Sequence, residues 1–484
     1  MNIANCSREL ENGLENKKDK ILFFTSFIFF IIALNLIFDY ILPIEDLKYI
    51  FLLNVLLSVF YYFIMFGKSW HPVFLFIGTL TLFQGGLIIS SIFDNNIDLS
   101  YVSLMGANIF LGENTVRITI LLISLSYWFA LIGAYLGSKS KIKIKNLKKL
   151  RTKDYNFLKQ LFLVIFFIAM PFYMYKQFVY FSYFLQFGYL AFYQSTKFLE
   201  EAVFLVRIFS FLVPIAFLGY FFIEKNKQLI FLICLIYFII SLPTLLCTFR
   251  GQFFTFWLTI FLFYKRKFNN KLSFKSLFIM VVVISIVGLL ISFMRENVSF
   301  DVDIIYFILN KNPILEFFKQ QGVSFYVTAM AIEFKHEFAP NILKYLMWEP
   351  ISAIFSTALS VPGRAFATDL MIKINYDGYL MGYGTGSSYL AEAYLLGGSV
   401  AVCLTSFFIG YILSKLYKNF EYANIYIKIL IFTVIQYVFF LPRDLLLMPL
   451  AQAIKVGVYL LLLFFIIGFI KQTILYSKKL EVKA

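Results

Sequence analysis

The chain has 484 residues, of which 61% are apolar and 14% charged, and its formal net charge is +16. Soluble domains hold about 45–50% apolar and about 25% charged residues, so the composition excludes an ordinary soluble domain, a disordered chain and a disulfide-rich secreted module. The net charge alone would suit nucleic acid, but in so apolar a chain its location decides its meaning.

A helix needs about 20 mainly apolar residues to cross a bilayer. In chain order the predicted spans are 21–42, 49–66, 73–93, 118–137, 157–175, 203–223, 228–247, 249–264, 276–294, 396–414, 425–441 and 446–470. The expected fold class is therefore all-α, a polytopic membrane helical bundle of about 12 transmembrane helices. Residues 1–20 form a cytoplasmic tail with Lys17, Lys18 and Lys20. The first span is too long for a signal-peptide core, and no small-residue cleavage site follows it. Residues 21–294 carry nine spans with short loops, 396–470 carry the last three, and 471–484 form a second cytoplasmic tail.

Two segments stand apart from the spans. Residues 176–202 are external and crowded with Phe and Tyr. They suit an interfacial aromatic belt, with a platform for sugar rings or an isoprenoid chain as the functional alternative. Residues 295–395 are an external loop of moderate polarity, expected to form a small helical subdomain. Pro313, Pro340, Pro350 and Pro362 act as breakers between amphipathic runs such as 314–321 and 341–347.

Charge sets the orientation. The segments on the side of the termini carry 26 Lys and Arg against 8 Asp and Glu, and the opposite side carries 13 against 18. Cationic loops stay inside, so both termini face the cytoplasm. Cys6 is cytoplasmic and Cys234, Cys247 and Cys403 lie in spans, which implies neither a disulfide nor a metal cluster.

The strongest local signal runs from Gly384 to Gly398. Gly384, Gly386 and Ser387 make a glycine-rich turn that leads into a helix with Glu392 and Tyr394. Such a turn permits close backbone approach by a ligand, and equally lets the loop re-enter the bundle. Arg250, beside Gly251, and Arg443, beside Asp444, lie at outer span ends, while Arg295 and Arg364 belong to the large loop. Guanidinium groups match diphosphate oxygens in pairs; at span ends they also snorkel and pair locally. Lys455 and Arg207 lie deeper in their spans and should face the bundle interior or a wet cavity. His71 sits at a span end beside Pro72 and reads as structural. His336, external, is a candidate general base in a charged surface run. Asp301 and Asp303 imitate the metal pair of nucleotide-sugar transferases, but their external position argues against that use, and no metal site is expected.

At Gly384–Gly398 the sequence resembles the Wzy O-antigen polymerase family of Gram-negative inner membranes. Many spans, a large periplasmic loop in the C-terminal half, an arginine-glycine pair before it and a Gly-rich Ser/Glu/Tyr/Gly motif at its end carry the resemblance. It implies a lipid-dependent glycosyltransferase of the multi-span type in lipopolysaccharide O-antigen biosynthesis, bound to the bacterial inner membrane and needing no cofactor. Its partners would be undecaprenyl-diphosphate-linked oligosaccharides, membrane lipids and a chain-length regulator protein, with no nucleic acid. A growing glycan would pass from undecaprenyl diphosphate to the non-reducing end of a lipid-linked repeat unit. One transferase subclass carries acidic catalytic residues in a sizeable first external loop. Here that loop is only 43–48, although it contains Glu45 and Asp46, which points to the subclass with a late loop that includes the O-antigen ligases. Diphosphate leaves readily, so its departing charge needs arginines more than it needs an acid. Arg250 and Arg443 are the first choices, with Arg295 and Arg364 behind them; Glu392 is the leading base and His336 the second. An O-antigen ligase and a flippase or transporter of lipid-linked sugars are the rival readings.

Overall fold

The computed structural model describes residues 27–28, 30–67, 70–104, 107–140, 152–194, 204–247, 250–268, 288, 312–355 and 365–481. Helices α1 (Phe30–Ile41) and α2 (Ile44–Phe66) meet at Pro43, and Glu45 and Asp46 occupy the first turn of α2, where the helix dipole favours acid. Helices α3 (Pro72–Phe83) and α4 (Gly86–Phe93) form a pair bent by 56°. The bend falls at Gln84–Gly85, where a Cβ on Gly85 would collide with the Phe51 ring. A hairpin follows, β1 (Tyr101–Leu104) against β2 (Ala107–Phe110), with Tyr101 opposite Phe110. The long helices α5 (Glu113–Lys139), α6 (Thr152–Gln194), α7 (Phe204–Ile223), α8 (Lys227–Cys247) and α9 (Arg250–Lys267) come next.

The large loop is helical where it is described. It contains α10 (Pro313–Gln321), α11 (Ser324–Glu333), α12 (Lys335–Phe338), α13 (Ile342–Phe355), α14 (Phe366–Ile374) and α15 (Tyr376–Leu380). The expected amphipathic runs 314–321 and 341–347 coincide with α10 and the start of α13. Pro313 opens α10, but Pro350 sits inside α13 and breaks nothing. The chain ends with α16 (Tyr389–Asn419), α17 (Ile425–Phe440) and α18 (Met448–Glu481).

Seven described helices are long and apolar enough to cross a membrane, or eight when the bent α3–α4 pair counts as one span. Two more apolar helices, Phe30–Ile41 and Ile208–Ile223, are shorter. Large side chains such as Phe60, Phe178, Phe231 and Phe465 stand exposed on these helices, which suits lipid contact and not water. The protein is an all-α polytopic membrane protein. The expected ninth span, 276–294, lies outside the described residues except for Gly288.

Two boundaries move. Helix α6 continues unbroken from Thr152 to Gln194, so the expected aromatic loop is helical as far as it is described. Its residues supply no turn signal, and Pro171 is carried inside the helix. The tenth span, expected from 396, starts at Tyr389 and changes direction at Gly397–Gly398, where Gly398 takes a φ of 66°.

Packing joins distant helices by close backbone approach. A Cβ at Gly133, Gly137 or Gly410 would collide with the carbonyls of Phe407, Tyr411 and Ala130, so α5 and α16 touch main chain to main chain. The same device docks the loop subdomain: a Cβ at Gly86 would strike Phe318, and one at Gly322 would strike Leu87. A buried amide pair ties α1 to α2, since Asn35 and Asn54 exchange hydrogen bonds of 2.9 and 2.7 Å. The Trp128 indole N–H of α5 donates to Asn54 at 2.8 Å and completes the triangle.

The bundle has a distinct basic end. The Arg266 guanidinium donates to Tyr417 O and to Glu421 at 3.0 Å, and Lys418 reaches Ser138 O at 2.8 Å. Lys267 donates to the carbonyls of Phe221 and Glu224, while Lys159 pairs with Glu224 at 3.2 Å. These cations satisfy carbonyls left open at helix C-termini. His71 caps α3 at this end: its Nδ1 accepts from the Val73 N–H at 3.3 Å, and its Nε2 lies 3.3 Å from the Ser414 hydroxyl.

Candidate active site

At the opposite end, three parts of the chain converge on Gln84 at the α3–α4 bend. Its side chain is fully buried. The amide Nε2 donates to Ser388 Oγ at 2.9 Å and to Pro442 O at 2.6 Å, and Oε1 accepts from Thr328 Oγ1 at 3.0 Å. One side chain therefore fixes the start of α16, the α17–α18 turn and helix α11 of the loop subdomain. A buried amide with these bonds made is stabilising; a missing partner would cost about 1–3 kcal/mol.

The Gly-rich segment reaches this junction from the subdomain. Gly386 adopts a φ of 73°, a left-handed conformation that suits glycine. Thr385 donates from Oγ1 to Ala367 O at 3.1 Å, which stitches the segment to α14. Ser388 then caps α16, accepting from the Leu390 N–H at 3.2 Å.

Glu392, one turn into α16, is fully buried. Its Oε1 accepts from the Ser387 hydroxyl, and its Oε2 accepts from the Leu446 N–H at 2.8 Å. The carboxylate thus joins the Gly-rich segment to the turn between α17 and α18. That turn carries Arg443 and Asp444. The Arg443 guanidinium donates to Gln321 Oε1 at 3.1 Å and lies 5.8 Å from the Phe83 ring centroid. Asp444 accepts from the Leu445 N–H at 2.9 Å through Oδ1, while Oδ2 is buried with no hydrogen-bond partner. Burial pushes the Asp444 carboxyl up to about 7, against the pull of the Leu445 N–H.

The remaining expected residues fall into three groups. Arg250 opens α9 at this same end; a Cβ on the adjacent Gly251 would collide with the Phe440 ring, which packs 5.7 Å from Phe83. The two arginine-bearing backbones therefore share the Phe83–Phe440 pair. Tyr394 is half-buried beneath the Lys335 ammonium at 5.1 Å. His336 stands exposed on α12, between Lys335 and Glu337, whose carboxylate pairs with Lys373 at 3.0 Å. Lys455 on α18 lies 5.1 Å from the Phe211 ring, and Phe211 lines a cavity of about 210 Å³ among the long helices with Gln252, Gln436 and Gln452. Arg207 sits on α7 with its side chain outside the described residues. Arg295, Arg364, Asp301 and Asp303 also lie outside them. Among the described residues no group of three or more His, Cys, Asp or Glu gathers as a metal site.

Gln84, Gln321 and Thr328 were missed by sequence reasoning. A signal for Gln84 existed: a polar side chain followed by Gly85-Gly86 interrupts an otherwise apolar span.

A polytopic helical membrane protein whose buried carboxylate, arginine turn and Gly-rich segment meet at one end defines the class. The family model for O-antigen polysaccharide polymerase Wzy matches residues 20–473, and the chain belongs to that family. Membership gives it an enzyme's role as a polymerase in O-antigen biosynthesis, acting on lipid-linked oligosaccharide repeat units. No curated protein and no solved structure matches the chain significantly.

Proposed function

We propose that the protein transfers a growing glycan from undecaprenyl diphosphate to the non-reducing end of a lipid-linked repeat unit, at the periplasmic face of the inner membrane. The observation that carries this reading is the meeting of Arg443, Asp444, Glu392 and the Gly384–Ser388 segment at the end of the bundle away from its basic cluster. A lipid-linked sugar diphosphate holds its reacting bond at that depth, at the border of membrane and water.

Arg443 and Arg250 take the departing diphosphate, with Arg295 and Arg364 as the second choices. The guanidinium charge acts where water is partly excluded, so it stabilises the leaving group more than it would in bulk solvent. Glu392 is the base for the acceptor hydroxyl, with His336 as the alternative from the rim. Both Glu392 oxygens already accept hydrogen bonds, so the acceptor reaches the carboxylate by displacing Ser387 or through its hydroxyl. Gly384 and Gly386 let main chain approach the substrate, and Tyr394 borders the same helix. Lys455 and Arg207 remain intramembrane candidates for a functional cation. A chain-length regulator would act on the assembled polymerase.

Deletion followed by gel analysis of lipopolysaccharide tests the reading. A polymerase defect leaves the lipid A core with one repeat unit attached; a ligase or flippase defect leaves it with none. Complementation with Glu392→Gln or Arg250→Lys, at normal protein levels, should leave that single unit unextended. Arg250→Lys keeps charge and loses the paired fork. Full-length ladders from both variants would overturn the residue assignment.

A further inference from the structure

A second polar cavity lies in the loop subdomain, away from Glu392 and Arg443. It encloses about 720 Å³ between α12–α13 on one side and α14–α15 on the other. That volume falls within the range of small-molecule sites, about 300–1,000 Å³. We propose that it is a carbohydrate subsite that holds sugar residues of the lipid-linked oligosaccharide, apart from the diphosphate. The proposal rests on the polymerase reading above and extends it to the glycan.

Three features select the ligand class. The first is aromatic surface. Tyr376 and Tyr379 are 57% and 38% exposed, and their rings lie 6.3 Å apart at 35°. Each offers an apolar face and a polar tip, which suits the C–H face and hydroxyl rim of a pyranose. The second is the hydrogen-bonding set. The Tyr345 hydroxyl donates to Asp369 Oδ2 at 2.7 Å, which holds that carboxylate in place at the wall, and Asn341 and Thr368 line the cavity beside it. Carboxylate, amide and hydroxyl groups together match vicinal sugar hydroxyls, which both donate and accept. The third is charge. Among the described residues the lining contains no arginine, and its one lysine there, Lys373, is paired with Glu337 at 3.0 Å. A diphosphate would find no unpaired cation among these residues, so the described lining suits the sugar better than the headgroup.

The position fits the reaction. Thr368 lines the cavity, and the neighbouring Ala367 carbonyl accepts the hydrogen bond from Thr385. Two residues further on, Ser387 donates to Glu392. The wall of the sugar cavity and the Gly-rich segment are thus one connected piece of structure. A glycan held at Tyr376 and Tyr379 would have its end directed along that segment. Such remote binding would orient the reacting hydroxyl without touching the departing diphosphate.

The test uses the full-length protein in detergent. The probe is the single repeat-unit oligosaccharide freed from its lipid by mild acid, and undecaprenyl diphosphate is titrated separately. Tyr376→Ala with Tyr379→Ala changes two exposed side chains and should leave the fold intact, which a thermal unfolding midpoint checks. The expected result is oligosaccharide affinity weakened about tenfold or more, with undecaprenyl diphosphate affinity unchanged. In turnover assays the KM for the lipid-linked acceptor should rise while kcat changes less than threefold. Asp369→Asn, a second variant that keeps the side chain's shape, should weaken the oligosaccharide several-fold. Unchanged oligosaccharide affinity in both variants would overturn the subsite while leaving the polymerase reading standing. Oligosaccharide binding that depends on Tyr376 and Tyr379, in a protein that fails to extend lipid-linked units, would support the subsite and remove the polymerase reading.

Discussion

Asp444 combines two roles that pull apart. Its backbone begins the turn that delivers the Leu446 N–H to Glu392, yet its own Oδ2 is buried without a hydrogen-bond partner. Burial holds the carboxyl at about 7, above its ordinary 3.8, so the fold favours the protonated form. A group of this kind contributes its full stability below about pH 4, and that contribution falls away as pH rises through about 7. Asp444→Asn mimics the protonated carboxyl at every pH. The unfolding midpoint of the variant should therefore exceed that of the native protein at pH 8 and approach it at pH 5, measured by thermal scans in detergent. An equal difference at both pH values would show that Asp444 is not the titrating group. At this scale the sequence was partly legible. Glu392, Arg443 and Ser387 stand in a recognisable motif or at a span end. Gln84 lies more than two hundred residues before Gln321 and Thr328, and only tertiary packing brings its amide to Thr328 and the Gln321 amide to Arg443.

The elements were legible wherever apolar length and breakers agreed. Helices α2, α5 and α17 follow from long, mainly apolar runs, and Pro313 marks the start of α10. Proline and aromatic content misled elsewhere. Pro350, expected as a breaker, remains inside a helix, and the crowd of rings after residue 175 continues α6 instead of ending it. Neighbouring helices can satisfy the backbone groups that proline frees, so a proline among apolar residues is weak punctuation. Glycine carries the stronger information. Gly133 and Gly137 on α5 pack against the main chain of Phe407 and Tyr411 on α16, and Gly410 against that of Ala130, so the backbones touch where a Cβ would stand. The i, i+4 spacing of Gly133 and Gly137, and of Ser406, Gly410 and Ser414, is the small-residue pattern of membrane helix pairs. Because α16 carries Glu392 in its first turn, this contact helps set where Glu392 sits in the bundle. Gly410→Val should separate the two helices and lower the unfolding midpoint by several degrees. Activity should fall further than stability, since Glu392 would move relative to Leu446. A Gly410→Ala variant, with the smaller intrusion, should lie between. A valine variant as stable and active as the native protein would show that the pair tolerates separation.

For the whole molecule, the basic residues have a packing role that does not depend on the expected orientation. Lys267, Arg266 and Lys418 close the carbonyl ends of helices at one end of the bundle, while Gln84, Arg443 and Glu392 organise the other. Arg117, which donates to the Asp39 carbonyl at 3.0 Å, belongs to the second end, so α1, α2 and α5 agree with the late helices about which end is which. This agreement is independent of the charge rule, because it comes from packing and not from counting cations. It makes a sharp topological prediction. With Cys6, Cys234, Cys247 and Cys403 replaced, single cysteines at the exposed positions Asn96 and Leu343 should react with a membrane-impermeant maleimide added to intact spheroplasts. Cysteines at Lys225 and Tyr422, exposed at the basic end, should react only after permeabilisation. Asn96 and Leu343 are separated by 247 positions and belong to the hairpin region and to α13. Labelling of both from one side would place the hairpin, the loop subdomain and the Glu392 junction on a common face. If Asn96 and Leu343 labelled from opposite sides, the bundle could not bring Gln84 to Thr328, and a periplasmic polymerisation site built on that junction would fail with it.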